Sequence, residues 1–194
     1  MRKRLLIGSL AVAVVVVAAF AVYRGTSSTD SSDGPSDSVV KIDKDHQLDQ
    51  PTLNTNAAVR GKPLPRVDVR TAEGATFATG DLVGQPMVIN YWSSTCLPCK
   101  KELPDFVTAH DKYGDSVRFV GIDAYAPSPA EVQFAKDRGV DYELYYDGDG
   151  RFATAAGLST QPVTLFVSTD GTIVEQTGQI DLATIETNVQ RLLP

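Results

Sequence analysis

The chain has 194 residues, of which 42% are apolar and 22% charged, enough for one globular domain of ordinary size with appendages. A two-domain enzyme, a disordered chain and a collagen-like chain are excluded on those grounds. The formal net charge of -6 lacks the basic footprint that phosphate binding requires, so no nucleic-acid partner is expected.

Leu5 to Tyr23 is a run of 19 uncharged, mostly apolar residues preceded by Arg2, Lys3 and Arg4. As a helix it would reach roughly 28 Å, about the thickness of a bilayer core. The flanking cations would keep the N-terminus in the cytoplasm and send the remainder across. Ala19-Phe20-Ala21 has the small-x-small form of a cleavage site, so retained anchor and cleaved signal peptide both stay open. Either one places the rest outside the cytoplasm: on the outer face of a bacterial membrane as a single-pass protein, or secreted.

From Arg24 to Pro65 the chain turns to Ser, Thr, Asp, Gly, Pro and Asn without aromatics, the composition of a linker. As a flexible coil it would reach about 36 Å, which keeps a tethered domain near the membrane surface. His46, among Asp43, Asp45 and Asp49, has no second ligand cluster and reads as solvated. Without Arg2, Lys3, Arg4 and Arg24, the remaining 14 Lys and Arg face 24 Asp and Glu, so the exported part is distinctly acidic. The expected organisation is 1–24 as membrane anchor or signal peptide, 25–62 as flexible linker and 63–194 as the folded domain.

Within that domain, Arg66 to Arg70 alternates around Val67 and Val69, and Glu73-Gly74 turns the chain into Ala75 to Phe77, an N-terminal hairpin. Met87 to Trp92 is a β-prone run, and Leu97 to Tyr113 carries apolar residues near helical spacing. Val117 to Tyr125 is a strand, Pro129 to Arg138 a helix and Tyr142 to Tyr146 a strand. A short helix, Gly150 to Ala156, precedes a strand at Val163 to Val167. Thr169-Asp170-Gly171 turns the chain into Thr172 to Gln176, and Asp181 can cap a last helix ending near Leu193. The pattern predicts an α/β fold: a mixed central sheet with helices on both faces.

Cys96-Leu97-Pro98-Cys99 contains both cysteines of the chain. Zinc would want four ligands, and His46 and His110 have no matching spacing; His110 reads as an ordinary helix residue. Haem attachment needs His after the second Cys, where Lys100 stands. A disulfide across so short a loop removes only about 2 kcal/mol of unfolded-chain entropy, so it makes a poor staple. A reversible dithiol fits better. A sulfur at a helix N-terminus faces unpaired N–H groups and the positive dipole end, which favour thiolate. Cys96 would attack a partner disulfide and Cys99, one turn along, would resolve the mixed disulfide. Pro98 is tolerated in the first turn, where its missing N–H costs little.

The segment Asn90-Tyr91-Trp92-Ser93-Ser94-Thr95-Cys96-Leu97-Pro98-Cys99-Lys100-Lys101-Glu102-Leu103-Pro104 resembles the active-site segment of thioredoxin-like proteins, in particular the membrane-anchored TlpA/ResA-like branch of exported thiol-disulfide oxidoreductases. The resemblance spans roughly Pro63 to Pro194. Pro104 falls where that family bends its active-site helix, and Thr169-Asp170-Gly171 matches its late hairpin turn. Thr160-Gln161-Pro162-Val163-Thr164 looks like the segment carrying the family's cis-proline. The resemblance implies that Pro162 is cis and lies against the cysteine pair; a trans proline opening a strand is the alternative. It also implies that Glu102 is a carboxylate near the buried sulfur, assisting proton transfer at Cys99. The two are i and i+3 on a helix and share a face, although a solvated helix charge would read the same.

Asn90 stands where cytoplasmic thioredoxins place a buried Asp, so that relay is not carried over. Thr95 replaces the aromatic residue usual before the first Cys, and its hydroxyl would donate to the Cys96 sulfur or cap the helix. Trp92 is either packing or a partner contact. The implied activity is disulfide exchange with exported proteins, as a reductase, for example of apocytochrome c before haem attachment. It needs no bound cofactor or metal beyond the Cys96–Cys99 pair, and an electron-exchange partner in or outside the membrane. A disulfide-forming oxidase would use the same residues at a different potential. A peroxidase, a copper-delivery protein and a non-catalytic binding module are the remaining readings.

Overall fold

The computed structural model describes residues 55–194, so the expected anchor at Leu5–Tyr23, His46 and most of the expected linker lie outside the described residues. Among the described residues no helix is long and apolar enough to cross a membrane.

Seven strands form one mixed sheet: β1 (Asp68–Arg70), β2 (Thr76–Ala78), β3 (Met87–Trp92), β4 (Arg118–Asp123), β5 (Glu143–Tyr146), β6 (Val163–Val167) and β7 (Ile173–Thr177). Their order is β2-β1-β5-β4-β3-β6-β7. The central β3 and β4 run parallel, as do β4 and β5. On the other side β6 is antiparallel to β3 and to β7. At the opposite edge the β1–β2 hairpin pairs antiparallel onto β5. Four helices accompany the sheet: α1 (Leu97–Tyr113), α2 (Pro129–Lys136), α3 (Arg151–Ala156) and α4 (Leu182–Leu192). This is a thioredoxin-like α/β architecture.

The period of two in β3 separates two cores. Met87, Ile89 and Tyr91 pack with Phe152 and Ala156 of α3. Val88 and Trp92 pack with Cys99, Leu103, Phe106 and Ala109 of α1, Ala135 of α2, and Ile185 and Val189 of α4. Helices thus cover both faces, and a central strand with two buried faces reads as a mostly apolar run, as Met87–Trp92 does with Asn90 its one polar residue. Gly121 of β4 makes room for the indole: a Cβ there would meet Trp92 Nε1 at 3.2 Å.

Two differences from the sequence reading concern boundaries. Strand β4 ends at Asp123 rather than Tyr125, because the Asp123 carboxylate accepts from Tyr125 N at 2.9 Å and turns the chain. Residues 55–62, which composition assigned to the linker, lie against the domain. Val59 is buried, Ala57 N donates to Gly157 O, and Gly61 and Lys62 exchange backbone hydrogen bonds with Ile173. The Asn56 side chain accepts from Ser159 N and Thr160 N. Main-chain pairing leaves no mark on composition, which is why a polar stretch with one anchoring Val reads as linker.

Candidate active site

Strand β3 ends at Trp92 and the chain passes through Ser93, Ser94 and Thr95 to Cys96, the N-cap of α1. The Cys96 sulfur accepts from Cys99 N at 3.2 Å, so it occupies the place that a capping side-chain oxygen would take. Pro98 lies in the first turn of α1, and the helix continues through Pro104. A disulfide joins Cys96 and Cys99. The two sulfurs are unequal: Cys96 is half-buried, whereas Cys99 is fully buried on the α1 face that also carries Leu103 and Phe106. Leu97, between them, is 69% exposed.

Glu102 is not a solvated helix charge. It is 1% exposed, its Oε1 accepts from Asn90 Nδ2 at 2.9 Å, and its Oε2 accepts from Ile180 N at 3.3 Å. Burial pushes its carboxyl up to about 7 from an ordinary 4.5, against the lowering effect of those two donors. Asn90 therefore supplies an amide donor from β3 where a second acid would compete for the proton. A cleft lined by Lys101, Asp105, Gln179 and Asp181 reaches Glu102 from solvent.

Across the site, the Gln161–Pro162 peptide is cis and Pro162 is buried. Ser93 Oγ donates to Gln161 Oε1 at 3.0 Å, tying the segment before Cys96 to the segment before β6. The register Tyr91↔Val163 sets Pro162 at the same end of the sheet as Trp92. Trp92 itself is fully buried and stacks on Phe134 at 5.5 Å, so packing is its role here. The Thr95 hydroxyl neither caps α1 nor reaches the sulfur; it pairs with Tyr125 Oη at 2.8 Å. Tyr125 is 42% exposed and, with Leu97, is one of two exposed large apolar side chains among the described residues.

Four residues of this region escaped the sequence reading: Ser94, Asp123, Tyr125 and Glu131. Ser94 Oγ donates to Glu131 Oε1 at 2.8 Å, and the Glu131 carboxyl in turn pairs with that of Asp123. One signal was available. Ser128-Pro129-Ala130-Glu131 is a capping-box sequence, and Ser128 does cap α2 by accepting from Glu131 N. The Glu131 carboxylate, however, turns to Ser94 and Asp123. One group among the described residues, His110, Asp111 and Asp141, brings possible metal-ligand atoms within 4.8 Å of one another, at the far end of α1 from the cysteines.

The profile of the AhpC/TSA family matches residues 60–176. The chain is similar to the thiol-disulfide oxidoreductase ResA of Bacillus thuringiensis (strain Al Hakam), at 28% identity over 60% of this chain and 68% of the relative. It is also similar to the thiol:disulfide interchange protein DsbE of Pseudomonas fluorescens biotype C, at 29% identity over 62% of this chain and 68% of the relative. Among solved structures it is similar to MTB dsbF in mixed oxidized and reduced forms, with a TM-score of 0.60 and 25% identity over 66% of this chain and 95% of the other.

Proposed function

The chain belongs to the AhpC/TSA family, and from that premise we propose that this thiol-disulfide oxidoreductase reduces disulfides in proteins outside the cytoplasm. The observation that carries the reading is the inequality of the two sulfurs, one reachable from solvent and one sealed in the core. In the reduced protein the Cys96 thiolate attacks one sulfur of a partner disulfide. A mixed disulfide forms and the partner's other sulfur leaves as a thiolate that takes up a proton. Cys99 then loses its proton and attacks the Cys96 sulfur, and the second partner sulfur leaves. Two electrons pass to the partner, and the protein ends with Cys96 and Cys99 joined.

Glu102 is suited to hold the proton that Cys99 gives up, since it shares the i, i+3 face and its carboxyl sits near neutrality. Leu97, which is exposed, and the half-buried Pro98 and Gln161 are the side chains a partner chain would meet, with the cis Gln161–Pro162 peptide shaping the segment before β6. The uncharged run Leu5–Tyr23 and its basic flank support a tether on the outer face of a bacterial membrane, or secretion after cleavage, with the folded domain on a linker. Resemblance to the TlpA/ResA-like branch supports apocytochrome c cysteines as one substrate and an extracytoplasmic electron donor as the second partner.

Equilibration with glutathione tests the direction. A potential near that of thioredoxin, about -270 mV, supports reduction of partners, whereas one near that of a strong oxidant, about -120 mV, would reverse the assignment to disulfide formation.

A further inference from the structure

Asp123 closes β4, opposite Trp92 in the parallel register, and is fully buried. One carboxylate oxygen accepts from Tyr125 N; the other, Oδ2, and Glu131 Oε2 are buried and find no donor. The Glu131 carboxyl lies close enough to raise the proton affinity of Asp123. A hydrogen bond between carboxyls exists only when one proton lies between them, because two carboxylates offer acceptors alone.

From this pair two arms reach the residues just before Cys96. Glu131 Oε1 accepts from Ser94 Oγ at 2.8 Å. Asp123 sets the turn that delivers Tyr125, whose hydroxyl pairs with Thr95 at 2.8 Å. The turn is confined further on: a Cβ at Gly148 would come within 2.6 Å of the Ala126 backbone. Ser93, Ser94 and Thr95 are thus each gripped from a different element, and Cys96 N donates to Ser93 O.

We propose that Asp123 and Glu131 hold one proton between them and act as positioning residues for Cys96, fixing the Ser94–Thr95 approach to the sulfur. The inference rests on the oxidoreductase reading and adds a second protonic element to it, at the end of β4, separate from Glu102 on α1. Burial first, and then the neighbouring Glu131 carboxyl, push the Asp123 carboxyl well above the ordinary carboxylate range, which favours keeping the shared proton in place. Facing groups leave that state undisturbed. Tyr146 of β5 and Tyr91 of β3 stay neutral, each pushed up to about 12, first by burial. The cations Lys100 on α1 and Arg138 beyond α2 lie over the Phe134 ring. When the proton leaves to solvent, two adjoining carboxylates repel. Glu131 and Ser94 move apart from Asp123, and the Cys96 sulfur loses its alignment with the α1 N–H groups.

The test is the pH profile of Cys96 alkylation by iodoacetamide in the reduced full-length protein. Asp123→Asn and Glu131→Gln each fix the pair at one negative charge and replace the shared proton by an amide donor. The wild-type profile should contain an alkaline step, a fall of about threefold in rate constant, that both variants lack. Glu102 contributes equally to all three profiles. Variants that keep the step, or differ from wild type only by a pH-independent factor, would assign the pair a packing role and overturn the proposal. Glu131 is only half-buried, so Glu131→Gln decides the matter if Asp123→Asn does not fold. A wild-type Cys96 no more reactive than an unstructured thiol would remove the oxidoreductase reading itself.

Discussion

Replacing Glu102 by Gln should make the oxidised protein more stable at alkaline pH while impairing its chemistry. The wild-type carboxyl titrates near 7 when folded and near 4.5 when unfolded, because folding strips it of water. The folded state therefore binds this proton more tightly. Its stabilising effect is complete below about pH 4.5 and is lost as pH rises through about 7. The difference corresponds to about 3 kcal/mol between the two ends of that window. Gln carries no charge, so the variant escapes the loss. Its amide nitrogen, however, would face a donor, Asn90 or Ile180 N, in place of an acceptor interaction, a penalty of about 1 kcal/mol. A net gain of about 2 kcal/mol over wild type is expected at pH 8, reversing to a loss of about 1 kcal/mol at pH 4.5. Urea unfolding of both oxidised proteins across this range reads the difference directly. If the variant and wild-type stabilities ran parallel with pH, burial would not be what holds the Glu102 proton, and its assignment as the Cys99 proton acceptor would lose its physical basis.

Leu97 is exposed beside the reactive sulfur, so Leu97→Ser should change stability by less than about 0.5 kcal/mol yet slow exchange with a disulfide peptide bearing apolar residues by about fivefold. Equal rates for the two proteins would show that partner chains do not press on this side chain. Val59→Ala should destabilise the fold by about 2 kcal/mol, because Val59 belongs to the core beneath β7 and α3. A denaturation midpoint identical to wild type would return residues 55–62 to the linker.

The local chemistry was legible. The spacing of Cys96, Pro98, Cys99 and Glu102 depends on 3.6 residues per turn and on what a helix N-terminus offers a sulfur, both properties of short segments. The apolar run of β3 and the alternation in β1 likewise announced their burial. Side chains with two defensible local uses were not legible. Thr95 had a capping use and a sulfur-donating use, and it took neither because its hydroxyl pairs with that of Tyr125, thirty residues away. Glu102 read equally well as solvated until the packing of Asn90 and Ile180 around it was known.

Amino-acid order alone determined the sequence of strands and helices, the redox couple and its asymmetry along one helix, since each follows from hydrogen bonds and dipoles within a dozen residues. Only the tertiary structure decided which charges lose their water. Asp123 and Glu102 come from separate elements, and the proton affinity of each depends on neighbours brought together by the parallel pairing of β3 with β4 and by helices closing over that face. Desolvation is a property of the packed interior, and no stretch of chain carries it in isolation.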